Sequence, residues 1–126
     1  MVTWILWALI LAMLAWMGFN YLRIRRAAKI VDNEEFEALI HTGQLIDLRD
    51  PAEFHRKHIL GARNIPSSQL KTSLAALRKD KPVLLYENQR AQRVTNAALY
   101  LKKQGFSEIY ILSYGLDSWK GKVKTS

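Results

Sequence analysis

The sequence predicts an α/β domain with a parallel sheet of about five strands and helices on both faces, preceded by one N-terminal transmembrane helix. After residue 29, short apolar runs alternate with helical patterns through short linkers, which is typical of a parallel sheet covered on both sides. From Val2 to Leu22 there is no charged side chain. At roughly 1.5 Å rise per residue, about 21 helical residues cover the roughly 30 Å hydrocarbon layer of a bilayer.

A cleaved signal peptide is the alternative interpretation of this N-terminal run. No basic residue precedes the run, and the small-residue pattern of a cleavage site is poor around Gly18. Aromatic side chains lie towards its two ends, as in interfacial belts: Trp4, Trp7, Trp16 and Tyr21. We therefore expect a retained membrane anchor over residues 1–22, which contacts the lipid bilayer through Val2 to Leu22.

A basic juxtamembrane segment follows over residues 23–29. Arg23, Arg25, Arg26 and Lys29 carry half of the net charge of +8, and every acidic residue comes after them. The positive-inside rule then predicts a single-pass protein of the cell membrane whose soluble part is cytoplasmic. Because the excess charge is mostly juxtamembrane, we expect no nucleic-acid partner.

The first half of the soluble part reads as two strands and two helices. A strand is predicted at residues 30–31, and Asp32 caps the following helix because Glu35 completes a capping-box pattern. Gly43 ends that helix. A second strand is predicted at residues 45–49, and Pro51 starts a short helical turn. The apolar residues on the inward face of the first helix are Phe36, Leu39 and Ile40.

The second half repeats the alternation. A loop over residues 59–66 contains a short strand near residues 63–65, and a stripe of leucines (Leu70, Leu74, Leu77) predicts a helix. The next strand is Val83 to Tyr86, and the helix after it is stopped by Gly105. A strand at residues 109–112 and a short helix at 116–119 complete the domain, followed by a basic C-terminal tail over residues 121–126. The inward face of the long helix is Val94, Ala97, Ala98 and Leu101.

The polar loop between Val83–Tyr86 and this helix is the candidate functional site. A strand, a short loop and a helix start together point backbone N–H groups and a positive dipole end into one small space. Glu87 ends the strand with a carboxylate, and we expect it to dock there as a built-in anion whose charge stabilises the domain. A solvated polar connection without a ligand is the alternative. The loop residues are Glu87, Asn88, Gln89, Arg90, Ala91, Gln92 and Arg93.

The absence of cysteine limits the chemistry of the whole chain. With no cysteine, disulfides, thiolate nucleophiles and thiolate metal sites are excluded. The three histidines, His41, His55 and His58, lack a metal-ligand spacing. We therefore expect neither a metal ion nor a cofactor.

Two blocks of sequence begin at the end of the second predicted strand and after the turn that follows it. The first contains Asp47, Arg49, Asp50 and Glu53, and the second contains His58, Gly61, Ala62, Asn64 and Pro66. Together these blocks resemble the signature of the rhodanese-like domain family. Further likeness around Gly105, residues 109–112 and Gly115 extends the resemblance over residues 30–120. It implies a sulfurtransferase-type domain in which a cysteine follows the strand that here ends at Tyr86. The position of that cysteine is Glu87, or Tyr86 if the loop is aligned one residue shorter.

The signature residues also have structural interpretations. Charged residues at the end of a strand, such as Asp47 and Arg49, more often form an ion pair or a cap than catalyse. Glu53 and His58 are expected to hold a loop, and Gly61 and Pro66 to serve a turn. The sequence departs from the family pattern at Tyr114, where the family has the first of two glycines, and in the loop after Glu87, which lacks the usual glycine and serine.

Three functions remain open at this stage. The first is a cysteine-less, non-catalytic module that binds or regulates a protein partner at the cytoplasmic face of the membrane. The second is an enzyme that reuses the pocket, with Glu87 as acid–base group and Arg90 and Arg93 binding an anionic substrate. The third is a domain that supports sulfur transfer by a cysteine of its partner. A small anion is a further candidate ligand, and sulfurtransferase activity is not expected because the chain has no thiol.

The basic segment allows the topology to be tested. A protease added to intact cells should leave residues 23–126 undigested, because the positive side of the span faces the cytoplasm. The same protease added to permeabilised cells is the control and should digest them. Digestion from outside intact cells would contradict the cytoplasmic assignment.

Overall fold

The structure, a computed structural model, describes residues 2–88 and 92–125, and the side chains of all of these except 23–27. It begins with helix α1, Val2–Ala27. The stretch Val2–Leu22 within α1 is long and apolar enough to cross a membrane, and none of it is buried against the rest of the chain. One residue, Ala28, separates α1 from the first strand, so the domain follows the helix without a long linker.

Five parallel strands form the main sheet, in the order β1-β6-β5-β2-β4. This confirms the predicted sheet, and β5 lies at its centre with all four residues buried. Two further short strands, β3 and β7, pair antiparallel with each other. The strands are β1 Lys29–Val31, β2 Gln44–Asp47, β3 His58–Ile59, β4 Arg63–Asn64, β5 Val83–Tyr86, β6 Ile109–Leu112 and β7 Val123–Lys124.

Helices cover both faces of the sheet. They are α2 Asn33–Ile40, α3 Pro51–Arg56 and α4 Gln92–Lys103, with short 3-10 turns at Ser67–Gln69, Leu74–Ala76 and Leu116–Ser118. Alternate residues of β5 belong to two separate apolar clusters, because successive side chains of a strand point to opposite faces. Val83 and Leu85 join the cluster under α4, whereas Leu84 and Tyr86 join the cluster that contains Phe36 of α2.

The predicted helix ends are confirmed where a specific cap forms them. The Glu35 N–H donates to Asp32 Oδ1 at 2.9 Å, which satisfies one of the free donors at the start of α2. Gly105 has a φ of +99° and ends α4, as a left-handed glycine commonly does. The predicted inward face of α4 is also confirmed, since Val94, Ala97, Ala98 and Leu101 are all buried.

The leucine stripe at Leu70, Leu74 and Leu77 does not form a continuous helix, so that prediction was wrong. Leu70 and Leu77 are buried, but the backbone runs through the turns Ser67–Gln69 and Leu74–Ala76. Thr72 Oγ1 donates to the Gln69 carbonyl at 2.9 Å, a local side-chain bond that competes with helix formation. The apolar spacing therefore indicates that these leucines pack into the core, but it does not indicate a helix.

The pairing of β3 with β7 was also not predicted. His58 and Ile59 were assigned to a loop, and Val123 and Lys124 to a basic tail. In the structure Ile59 lies opposite Val123, and the Leu60 N–H donates to the Lys122 carbonyl at 3.0 Å. The C-terminal segment is thus fixed against the middle of the domain, across more than 60 residues of sequence.

Candidate functional site

The candidate site lies at the carboxyl edge of the sheet, where β2, β5 and β6 end. In open parallel sheets the ligand crevice lies at this edge. The residues that leave β2 and β5 here are Leu48 and Arg49, and Glu87 and Asn88. The loop after β6 brings Gly115 against the end of β5, because the Leu116 N–H donates to the Glu87 carbonyl at 2.8 Å.

Asp47 and Arg49 form a buried ion pair at the end of β2. The Arg49 guanidinium is bound through Nη2 at 2.8 Å from Asp47 Oδ2 and through Nε at 3.1 Å from Oδ1. The Arg49 backbone N–H also donates to Asp47 Oδ1 at 2.9 Å. Both side chains are almost fully buried, so each charge depends on the other for compensation.

The same guanidinium connects three segments of the chain. Arg49 Nη1 donates to Asn88 Oδ1 at 3.0 Å, and Nη2 donates to the Lys57 carbonyl beyond α3. Asn88 in turn donates through Nδ2 to Glu53 Oε2 at 3.1 Å. The loop after β5 is thereby fixed to α3 and to the end of β2.

The remaining signature residues hold the backbone around this network. Asn64 Nδ2 donates to the Arg49 carbonyl at 2.9 Å and to the Asp47 carbonyl at 3.2 Å. His58 Nδ1 lies 2.8 Å from the Phe54 carbonyl oxygen, and the His58 ring stacks on Phe54 at 3.9 Å between centroids. These contacts give structural roles to the side chains, in line with their position beside strand ends.

Four signature positions contribute little or nothing to the polar network. Asp50 is exposed and its side chain makes no capping bond at the start of α3. Gly61 has a φ of +91°, which explains glycine at this turn. Ala62 is half-buried and Pro66 is buried.

Glu87 is buried directly after β5, with 8% of its surface exposed. Its Oε2 accepts a hydrogen bond from the Val94 N–H at 2.9 Å, in the first turn of α4. Burial raises the pKa of Glu87, against the opposing effects of the Val94 N–H and of the Arg93 charge. The carboxyl group therefore occupies the helix start as expected, but its ionised form is disfavoured there. The raised pKa counts against the expectation that the ionised charge stabilises the domain, and that expectation stays a prediction.

Tyr86 differs from Glu87 in its surroundings. It is the last residue of β5, is fully buried, and its hydroxyl accepts a hydrogen bond from the Ile59 N–H at 3.1 Å. Burial raises the pKa of the phenol. Glu87, rather than Tyr86, is the residue at which the chain leaves the strand.

Only part of the predicted loop belongs to the described structure. Gln89, Arg90 and Ala91 lie outside the described residues. Gln92 begins α4 and donates through Nε2 to Asn96 Oδ1 at 2.8 Å, and Arg93 is exposed.

A cavity of about 560 Å³ opens beside the network. Glu87 is not among the described residues that line it. Sequence reasoning missed Arg56, Lys57, Leu116 and Asp117 as lining residues, since they lie outside both the loop and the signature. The cavity is lined by Arg49, Glu53, Arg56, Lys57, Asn88, Leu116 and Asp117.

The described side chains offer no metal centre. Among residues 2–88 and 92–125, no group of three or more histidine, cysteine, aspartate or glutamate side chains is placed to hold a metal ion. Each buried side-chain nitrogen and oxygen in this part of the chain has a hydrogen-bond partner. The described network is thus satisfied by the protein itself.

Comparison with known proteins agrees with this architecture. The model of the "Rhodanese-like domain" family matches residues 32–122, which is more than half of the chain. The chain belongs to the rhodanese-like domain family. Its cysteine-free sequence is consistent with an inactive member of that family.

Sequence relatives cover most of the chain. The "Uncharacterized protein YqhL" of Bacillus subtilis is 47% identical over 113 residues, which is 90% of this chain and 89% of the relative. The "Thiosulfate sulfurtransferase GlpE" of Stutzerimonas stutzeri is 36% identical over 95 residues, 73% of this chain and 84% of the relative. The resemblance to a rhodanese-like domain is confirmed.

Solved structures show the same fold. A rhodanese-related protein from Thermoplasma volcanium has a TM-score of 0.70 at 23% identity, covering 78% of this chain and 99% of that one. A full-length protein from Lactobacillus plantarum has a TM-score of 0.67 at 21% identity, covering 91% of this chain and 98% of that one. These two likenesses concern the fold alone.

The geometry at Gly115 predicts a large effect of a single methyl group. A Cβ there would lie 2.4 Å from the Asn88 carbonyl oxygen and 2.5 Å from that of Glu87, at a φ of +69°. Gly115→Ala should therefore destabilise the domain by about 2–5 kcal/mol, from backbone strain and overpacking together. Urea unfolding of the full chain in detergent micelles measures the change.

Gly61→Ala is the matched control for this substitution. Gly61 also has a left-handed φ, but a Cβ there would meet no atom within 4 Å. Only the strain of about 1–2 kcal/mol should appear. Equal losses in the two variants would show that the loop after β6 does not press on the Glu87 segment.

The raised pKa of Glu87 predicts a pH dependence of stability. The folded state holds the Glu87 proton more tightly than the unfolded state. The contribution of Glu87 to the free energy of unfolding therefore falls as pH rises from the unfolded pKa through the raised folded pKa. Thermal melts of wild type and Glu87→Gln across acidic pH should differ by this component, with the variant gaining relative stability as pH rises. A relative gain by the wild type over the same range would mean a lowered folded pKa.

Proposed function

We propose that this chain is a non-catalytic rhodanese-like module that binds or regulates a protein partner at the cytoplasmic face of the membrane. The observation that carries the proposal is the Glu87 carboxyl group, which is buried after β5 and bound to the Val94 N–H at the start of α4. The family resemblance places a cysteine at this position, or at Tyr86 if the loop is aligned one residue shorter. A carboxyl group that is already bound to a backbone N–H therefore stands in place of a thiol.

The missing thiol argues against sulfur transfer. A sulfurtransferase nucleophile must be a thiolate that attacks and then carries the transferred sulfur, and a carboxylate cannot carry it stably. The chain contains no cysteine at any position. The activity in the name of the Stutzerimonas relative is therefore not extended to this protein.

The cavity of about 560 Å³ supports a binding role. Its lining includes the cations Arg56 and Lys57 and the acids Glu53 and Asp117, so both signs of charge face a ligand. Such a mixed wall suits a polar protein segment better than a simple anion. The network of Arg49 and Asn88 holds the wall in a fixed shape, which lowers the entropic cost of binding.

Attachment to the membrane would localise this binding surface. The apolar stretch Val2–Leu22 has the length of a span, and α1 leads into β1 with Ala28 alone between them. The basic juxtamembrane segment supports a cytoplasmic domain. A partner at or near the bilayer is therefore favoured over a freely diffusing one.

One observation favours a second function, an enzyme with Glu87 as acid–base group. Burial raises the pKa of Glu87, as in many catalytic carboxyl groups. However, Glu87 does not line the cavity in the described structure, and its Oε2 is engaged by the Val94 N–H. The binding module remains the better supported of the two.

The absence of a thiol predicts no thiosulfate:cyanide sulfurtransferase turnover above the protein-free rate. The purified full chain should be assayed together with Glu87→Cys, and with Ser113→Cys as a control that adds a thiol elsewhere at the same edge. We expect little recovery in Glu87→Cys, because the loop also lacks the family's glycine. Turnover by pure wild-type protein would contradict the proposal.

Site-specific photocrosslinking in membranes tests the partner directly. A photoreactive amino acid at Arg56, on the cavity wall, should crosslink to a defined protein, whereas the same group at the exposed Lys102 of α4 should not. Addition of Lys57→Glu should reduce the Arg56 crosslink, because it reverses a charge of the cavity wall. Equal crosslinking at both positions, or none at Arg56, would contradict the proposed binding surface.

A further inference from the structure

A second cavity of about 260 Å³ lies between the turn Ser67–Gln69 and α4. It shares no described lining residue with the cavity beside Arg49, so the two are separate sites. Its lining is Ser67, Ser68, Leu70, Lys71, Arg93, Asn96, Ala97 and Tyr100.

The charged residues of this second cavity are both cations. Lys71 comes from the segment after the turn, and Arg93 comes from the first turn of α4. No carboxylate lines the cavity in the described structure. Since opposite charge is absent from its wall, the cavity has an excess of positive charge.

These cations are also without a close acidic partner. Within residues 2–88 and 92–125, neither Lys71 nor Arg93 belongs to an ion pair. Lys71 Nζ lies 5.6 Å from the centre of the Tyr100 ring, and Arg93 acts on Glu87 only through its charge. Both cations are thus able to bind an anion from solution.

Neutral donors complete the polar side of the cavity. Ser67 and Ser68 belong to the lining and carry hydroxyl groups. Asn96 also lines the cavity, and its Oδ1 accepts from Gln92 Nε2 at 2.8 Å, so its amide NH₂ is the end that remains to donate. A group with several acceptor oxygens matches this set of donors.

Part of the lining is apolar. Leu70 and Ala97 are buried, and Tyr100 is half-buried. Arg93, Asn96, Ala97 and Tyr100 share one face of α4, because they follow the spacing of three and four residues. A ligand with an anionic group and a small carbon part matches a lining that is partly cationic and partly apolar.

We propose that this second cavity binds a phosphate-bearing anion, with Lys71 and Arg93 on the phosphate and Tyr100 beside the carbon part. The ligand is a soluble phosphomonoester or the headgroup of an anionic phospholipid. The second source is relevant because α1 contacts α4, which carries half of the site. This proposal does not depend on Glu87 or on the binding of a protein partner.

Amide NMR of the full chain in zwitterionic micelles tests the site with inorganic phosphate and glycerol 3-phosphate. Both should produce saturable shifts at Ser67, Ser68, Lys71 and Asn96. Lys71→Gln should weaken the apparent affinity on the order of tenfold, since one charge-assisted bond is lost. Ser68→Asp, at an exposed position, should abolish the shifts by repulsion.

Lys102→Gln is the matched control. Lys102 is exposed on α4 and does not line the cavity, so this substitution removes one positive charge at a distance from the site. It should change the affinity less than about twofold, as expected for a screened distant charge. Nanodiscs with phosphatidylglycerol separate the sources: shifts at the same residues identify a lipid headgroup, and their absence identifies a soluble ligand. No saturable shift with any probe, or equal weakening by Lys71→Gln and Lys102→Gln, would overturn the proposal.

Discussion

The carboxyl edge of the sheet depends on one buried cation, Arg49. Only 4% of this residue is exposed, so its charge must be compensated within the protein. Asp47 supplies the opposite charge, and the Lys57 carbonyl and the Asn88 side chain each accept a further hydrogen bond from the guanidinium. Because these partners come from β2, from the segment after α3 and from the loop after β5, one guanidinium sets the relative positions of all three. Removing one member of such a pair typically costs roughly 3–5 kcal/mol.

The position of the Glu87 side chain follows from the same constraint. With Asn88 held by Arg49 and Glu53, the preceding carboxyl group is directed to the start of α4, where it accepts the Val94 N–H. A rhodanese-like edge is thereby closed by the chain's own side chain. Burial raises the pKa of this carboxyl group, so its ionised form is less favoured there than in water. The result is a buried carboxyl group with a neighbouring cavity, an arrangement that supports the proposed binding role.

Local sequence signals predicted most of the fold. The cap at Asp32, the glycine stop at Gly105 and the inward face of α4 each depend on residues within one or two helical turns, and each is observed. The β3–β7 pairing was not predictable because it joins two-residue strands far apart in sequence. An ion pair of Asp47 and Arg49 was expected from their place at a strand end. The further partners of Arg49, which are Asn88 and the Lys57 carbonyl, were missed because tertiary packing sets them. The helix predicted from Leu70, Leu74 and Leu77 is absent for a different reason, since apolar residues at helical spacing can line the core without forming a helix.

The most direct test of this account is a carbon-13 NMR titration of the Glu87 side-chain carboxyl in the full chain. The account predicts a pKa raised above the ordinary value of glutamate, because the group is buried. It also predicts that the Val94 amide proton shifts with the same midpoint, since its partner is Glu87 Oε2. A Glu87 carboxyl that titrates as in an exposed glutamate, with no response at Val94, would contradict the claim that this side chain closes the site.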